Sequence, residues 1–256
     1  MTAPRSANTT ARPANVVRQS RGGSSRRGFF VALLLIAVVG VGAISYVLQR
    51  GSAAAAPVVV PPAPPGAARP VGYTLGNPNA PVQIVEYADF ECSVCGQYFA
   101  VTEPDVRKQF VEPGIARYTF YDLQVNSEHA NSPATSLAAA CANEQGKFWP
   151  MHDLLYAGQN DWNSQATNDP RPVFAGYAQQ LGLDMTRWNQ CYDQRRYVQN
   201  LAVNRAAAER VPGFRGTPTI VVDDRALQTG ATFDAIKAMV DSARARGAGA
   251  KPVAVR

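Results

Sequence analysis

Val82 to Cys95 reads VQIVEYADFECSVC. Its first seven residues are apolar and β-branched enough for a short strand. The residues after Cys92-Ser93-Val94-Cys95 are compatible with a helix to about Phe110, with Pro104 placed to kink or divide it. A C-x-x-C therefore stands where a strand hands over to a helix N-terminus. Free backbone N–H groups and the positive end of the helix dipole stabilise a thiolate there, so Cys92 is expected to be unusually acidic. A two-residue gap within one helical turn also lets both sulfurs meet in a disulfide. Two plainer readings of the same four residues are an inert structural bridge and half of a zinc site. An all-cysteine zinc site wants a second close pair, yet Cys141 and Cys191 lie 50 residues apart, and His129 and His152 supply no spaced ligand pair. No metal is expected.

Downstream, Ile115 to Tyr121 (IARYTFY) alternates as a second strand. From Asn126 to Arg210 the pattern is Ala-rich, Gln-rich and helical, with no convincing strand. Thr219 to Val222 (TIVV) is a strand, Asp223-Asp224-Arg225 a turn, Ala226 to Gln228 a weak strand, and Phe233 to Ala245 a closing helix. That order describes an α/β domain with a helical insertion. Phe148, Trp149, Phe174, Tyr177, Trp188 and Tyr192 recur at helix-compatible spacing and are assigned to core packing. His129 and His152 are expected to cap or satisfy helices, and Arg195-Arg196 and Asp223-Asp224 to be solvated. No G-x-x-x-x-G-K, G-x-G-x-x-G or H-E-x-x-H pattern occurs.

Upstream, Gly28 to Leu48 gives 21 residues without a charge, about 31 Å of helix against a hydrocarbon core of about 30 Å. One transmembrane helix is expected. Arg21, Arg26 and Arg27 precede it and Arg50 follows, which places the N-terminus in the cytoplasm and the rest of the chain outside it. Ser25-Arg26-Arg27-Gly28-Phe29 has the look of a twin-arginine export signal, and Ala53 to Ala56 offers small residues suited to signal peptidase. The apolar run exceeds the usual length of a cleavable signal, which favours a retained signal anchor over a secreted or periplasmic product. The Arg-rich tail, 1–27, is expected to be disordered and cytoplasmic. Residues 49–72 form an Ala/Pro-rich linker, with six prolines between Gly51 and Gly72, an extended spacer in composition. A folded domain at 73–249, with its helical insertion at about 126–210, and a short tail, 250–256, complete the chain.

The net charge of +6 comes from the tail. Residues 1–50 hold seven arginines and no acidic residue, leaving 18 basic and 19 acidic groups elsewhere. A near-neutral body has no face for tracking phosphates, so nucleic acid is excluded as a partner.

Three separated segments, EYADFECSVC, HANSPATSLAAACANEQGKFWPMHDLLY and GFRGTPTIVV, resemble in order the DsbA-like thiol:disulfide oxidoreductases of the thioredoxin superfamily, in particular the membrane-anchored bacterial kind. The resemblance spans residues 73 to 245. It implies a thioredoxin fold with a helical insertion, a redox-active pair with Cys92 exposed and Cys95 buried, and a cis-proline loop at Thr217-Pro218 facing that pair and substrate. It also implies that Glu86, six residues before Cys92, is the buried acid that exchanges a proton with the buried thiol; a solvated strand carboxylate is the alternative. Ser93-Val94 departs from the Pro-His or Pro-Tyr of many relatives, which leaves the strength of the oxidant open. Cys141 and Cys191 are assigned to a structural disulfide, as in some relatives and as an even cysteine count outside the cytoplasm favours, with two free buried thiols as the alternative.

The implied activity is introduction of disulfides into exported proteins with free thiols. Reoxidation would come from a membrane oxidase of the DsbB or VKOR type, with quinone entering only through that partner and no bound cofactor. A reductase or isomerase in the same compartment, and a tethered binding domain whose C-x-x-C is a structural staple, are the alternatives.

Overall fold

The computed structural model describes residues 26–51, 57–63, 66, 69–227 and 230–249. The first 25 residues of the tail, the small residues at 53–56, Gln228 and the segment 250–256 lie outside the described residues. Helix α1, Arg26–Gly51, belongs to a compact unit of its own. Its stretch Gly28–Ser45 has mean hydropathy 2.6 and is long and apolar enough to cross a membrane. The helix runs from Arg26 to Gly51, so residues 26–27, expected in the disordered tail, and 49–51, expected in the linker, are helical.

The second unit is built on a five-stranded sheet of order β1-β3-β2-β4-β5: β1 Tyr73–Leu75, β2 Val82–Ala88, β3 Ala116–Asp122, β4 Thr219–Val222 and β5 Arg225–Ala226. The central β2 and β3 are parallel, which requires a crossover, and the chain makes it through α2 (Ser93–Val101), α3 (Glu103–Val106) and a π-helical turn, Arg107–Val111. Pro104 divides the expected helix. It sits in the first turn of α3, where its missing N–H costs nothing. The other pairings, β1 with β3, β2 with β4 and β4 with β5, are antiparallel. Strand β1 has no counterpart in the sequence expectations, because three residues carry no period to detect.

Alternation along the strands sorts the core onto two faces. Val82, Ile84, Ile220 and Val222 meet Tyr98, Val106 and Phe110 and the closing helix α10, Phe233–Gly249. Val85, Tyr87 and Val221 face Leu123 and Ala208. Between β3 and β4 the chain forms α4 (Ser132–Asn143), α5 (Phe148–Ala157), α6 (Gln159–Trp162), α7 (Arg171–Gln180), α8 (Met185–Asp193) and α9 (Val198–Ala208). The last long helical segment of the sequence breaks at Arg195, whose φ of 52° is left-handed. The aromatic residues assigned to packing do pack: Phe148, Phe174, Trp188 and Tyr192 are buried, and Trp149 and Tyr177 lean on them.

One expectation is corrected here. The spacer is not wholly free of the domain, since Val58 packs against its core and Asn204 Oδ1 and Nδ2 engage the backbone N–H and carbonyl of Val71 at 2.9 and 3.0 Å. The two pairs of charged residues are exposed, as expected, and two of them also make contacts. Asp223 accepts from the Gln83 N–H at 3.0 Å, and Arg196 pairs with Glu144 at 3.0 Å. Both sites serve to fasten a turn to a neighbouring element.

Candidate functional site

Strand β2 ends at Ala88, and its next residues form a tight loop in which the Cys92 N–H donates to the Asp89 carbonyl at 3.0 Å. Cys92 is the N-cap of α2, and its carbonyl receives the Gly96 N–H at 3.0 Å. Cys95 lies one turn into the helix. Both thiols are unbridged, and Cys95 is fully buried as expected; Cys92, expected to be exposed, is only 8% exposed, because the Thr217-Pro218 loop covers it. The loop before β4 arrives opposite them, with the Thr217–Pro218 peptide bond cis and the Cys92 thiol donating to the Thr217 carbonyl at 3.6 Å. Sequence positions 125 residues apart thus form one surface.

The two thiols differ in acidity. Cys92 is lowered from the ordinary thiol range to about 5, chiefly because the Cys95 thiol donates to it, with the Thr217 side chain and the Cys95 and Val94 N–H groups adding against the cost of burial. Cys95 is pushed well up by burial and by the neighbouring Cys92 and Glu86 charges. Glu86 is fully buried on the sheet face beneath α2, not a solvated strand carboxylate. Burial first, and then the Glu103 charge, raise its carboxyl well above the carboxylate range, while a hydrogen bond from Tyr118 opposes them.

Neighbouring residues that sequence reasoning missed complete the loop. Asp89, fully buried, accepts from the N–H groups of Glu91 and Val125 and pairs with His129 at 2.8 Å. His129 is therefore held beside the redox loop and does not cap a helix; Asp89 raises its pKa. Glu91 accepts from the first N–H groups of the α4 turn, Asn131 and Ser132, at 2.8 and 2.9 Å, and from Ser164. Gln159 Nε2 donates to the Phe90 and Cys92 carbonyls at 2.7 and 3.0 Å. The one available signal was two carboxylates, in ADFEC, inside an otherwise apolar approach to the cysteines. His152 is buried among Phe120 and Tyr156 and bonds Asp153 at 2.9 Å, so it satisfies a core position. Cys141 of α4 and Cys191 of α8 form a disulfide with Cα atoms 5.7 Å apart. Among the described residues no cluster of three or more metal-ligating side chains occurs.

The model of the family described as Thioredoxin matches residues 69–242. The chain belongs to the thioredoxin family. Among thioredoxin-family structures it resembles BdbD of Bacillus subtilis, with TM-score 0.60 and 20% identity over 69% of this chain and 96% of that one. Disulfide bond formation protein D of the same organism is 22% identical over 65% of this chain and 74% of its own length. A Na(+)/H(+) antiporter NhaA 3 of Salinispora tropica is 34% identical over 222 residues, which is 82% of this chain and 32% of the antiporter. The thioredoxin-family chain thus spans about a third of that relative.

Proposed function

We propose that this chain is a protein thiol:disulfide oxidoreductase that introduces disulfides into exported proteins through Cys92 and Cys95. The observation that carries the proposal is one helical turn holding two thiols of opposite character, an acidic one that keeps a little exposure at the helix N-cap and a weakly acidic one fully buried a turn further on. That division fits a cysteine that is attacked and released and a cysteine that closes the ring.

In the oxidised pair, a substrate thiolate attacks Cys92 Sγ, the Cys92–Cys95 bond breaks, and the departing Cys95 thiolate takes a proton from Glu86. A second substrate thiolate then attacks the substrate sulfur of the mixed disulfide. The substrate leaves oxidised, and Cys92 leaves as a thiolate that its surroundings stabilise. Stabilising the reduced form drives the exchange toward substrate oxidation. Beside the pair, a groove of about 420 Å³ lined by Val94, Tyr98, Val101, Thr217, Pro218 and Thr232 suits an extended polypeptide, whose backbone can pair with Thr217. The chemistry needs no bound cofactor. A quinone-linked membrane oxidase of the DsbB or VKOR type returns the pair to the disulfide.

The apolar stretch of α1 supports a signal anchor, and the arginines before it support a cytoplasmic N-terminus, with the domain extracytoplasmic. The deciding experiment is the equilibrium reduction potential of the Cys92/Cys95 pair, in the full chain held in detergent, against a glutathione buffer. A value of roughly −120 to −180 mV is expected of a donor of disulfides. A value near roughly −270 mV reverses the direction to a reductase or isomerase. A pair that no thiol buffer titrates is a structural staple, and the enzymatic proposal falls.

A further inference from the structure

The exchange step uses Glu86, yet Glu86 sits inside a larger buried cluster. From β3 the Tyr118 hydroxyl donates to Glu86 Oε2 and also lies 3.4 Å from the Tyr98 hydroxyl of α2. From α2 come Cys92 and Cys95, and from α5 the buried phenol of Tyr156. From α3 comes Glu103, only 1% exposed. Arg107 donates to Glu103 Oε1 through Nε at 2.7 Å and to Asp153 at 2.9 and 3.1 Å, and its guanidinium lies 4.8 Å from the Trp149 ring. His152 meets the same guanidinium at 3.3 Å. Glu86 Oε1 and Glu103 Oε2 are both buried without a hydrogen-bond partner.

Two carboxyl groups buried in one cluster, with one of them ion-paired, cannot both carry a charge cheaply. Arg107 is ion-paired with Glu103 and makes no hydrogen bond to Glu86, so the neutral form falls to Glu86. We propose that Glu103, held by Arg107, is a positioning residue for the proton of Cys95: it opposes the Tyr118 hydrogen bond on Glu86 and so keeps Glu86 a proton donor. The inference rests on the proposed pairing of Glu86 with Cys95. In the oxidising direction the Glu86 carboxyl gives its proton to the Cys95 thiolate released from Cys92. In the reverse direction the Glu86 carboxylate takes the proton of the Cys95 thiol. The thiolate then attacks Cys92 Sγ of a mixed disulfide, the Cys92–Cys95 bond forms, and the bond to the outside thiol breaks. That thiol leaves with the electron pair.

The reverse step can be timed. The reduced full chain in detergent is mixed with dithionitrobenzoate; Cys92 gives the first thionitrobenzoate, and the attack of Cys95 on the mixed disulfide releases the second. The rate of the second release is followed against pH. Glu103→Gln should move the midpoint to lower pH, raising the rate about threefold or more on the acidic limb. Tyr118→Phe should move it to higher pH, because a hydrogen bond that favours the Glu86 anion is lost. If Glu103→Gln slows the step equally at every pH and leaves the midpoint in place, Glu103 is only structural and the proposal is overturned, while Glu86 keeps its role. If Glu86→Gln leaves the profile unchanged, the pairing of Glu86 with Cys95 fails first. The unaltered chain supplies a readout free of folding effects: at neutral pH its infrared spectrum should hold a protonated-carboxyl stretch that Glu86→Gln removes. Absence of that band in the unaltered chain overturns the proposal even if Glu103→Gln does not fold.

Discussion

The chain has two pairs of cysteines, and all four residues belong to the same contiguous core. Cys141 and Cys191 are fully buried and bridged, joining α4 to α8 across 50 residues. Cys92 and Cys95 are nearly as buried yet unbridged, and the proton affinities of their two thiols are driven apart. Burial therefore does not separate a structural cysteine from a reactive one here. What differs is the local backbone. Cys92 caps a helix, receives hydrogen bonds from N–H groups and a thiol, and faces the Thr217–Pro218 loop, whereas Cys141 and Cys191 sit inside helices whose N–H groups are already engaged.

The largest expected effect tests that division directly. Cys92→Ser should lower the rate of oxidation of a reduced model peptide by about a thousandfold or more, since serine cannot form the mixed disulfide. The double variant Cys141→Ala/Cys191→Ala should leave that rate within about twofold, because the bridge joins α4 to α8 and neither residue is among the groups that set the Cys92 acidity. Its cost lies in stability. Opening a loop of 50 residues removes roughly 4 kcal/mol in the chain-entropy picture, readable as a lower urea midpoint. Equal loss of rate in both variants would erase the distinction between the pairs.

A smaller effect follows from acidity. The folded, reduced chain holds Cys92 at about 5, below the ordinary thiol value of 9.0, so its thiolate adds stability fully above pH 9. That contribution is roughly 3 kcal/mol at neutral pH and disappears as pH falls through about 5. Cys95 works the other way, and only above the ordinary thiol range, because its raised pKa makes ionisation costly in the fold. The oxidised chain has neither term. Its stability relative to the reduced chain should therefore rise as pH falls from 7 to 5, seen by urea denaturation of both forms. A constant difference across that range would mean that the Cys95 thiol and the other donors around Cys92 do not stabilise its thiolate.

The same contrast explains what could be read from the sequence. The strand and the C-x-x-C are local patterns, so the α/β order and the cysteine loop were visible, whereas the place of Thr217-Pro218 opposite the cysteines was implied only by the family resemblance. Strand β1 was not, because its existence depends on pairing with β3 and not on its own three residues. His129 and Gln159 reach the loop from 40 and 67 residues away in the helical insertion, and their residue types alone suggest nothing. Glu103 carries no signal in the sequence; folding alone shows it buried against Arg107. Residues whose task depends on a distant partner are silent until the partner is placed.

Gln159 offers the finest test of how far the helical region enters the chemistry. Its side chain spans two carbonyls of the redox loop, those of Phe90 and Cys92, and it lies so close over α2 that a Cβ on Gly96 would meet its Oε1 at 2.7 Å. Gln159→Leu removes both donations. The Cys92 carbonyl keeps the Gly96 N–H, whereas the Phe90 carbonyl loses its bond to Gln159, so a cost of about 1 to 2 kcal/mol is expected on urea denaturation. The largest causes of the Cys92 acidity come from Cys95, Thr217 and the start of α2, and Gln159 is not among them. The thiol should therefore still titrate near 5 when its alkylation rate is followed against pH in this variant. A clear upward movement would show that the insertion tunes the reactive cysteine through the loop backbone, and that the two regions cannot be assigned separate roles.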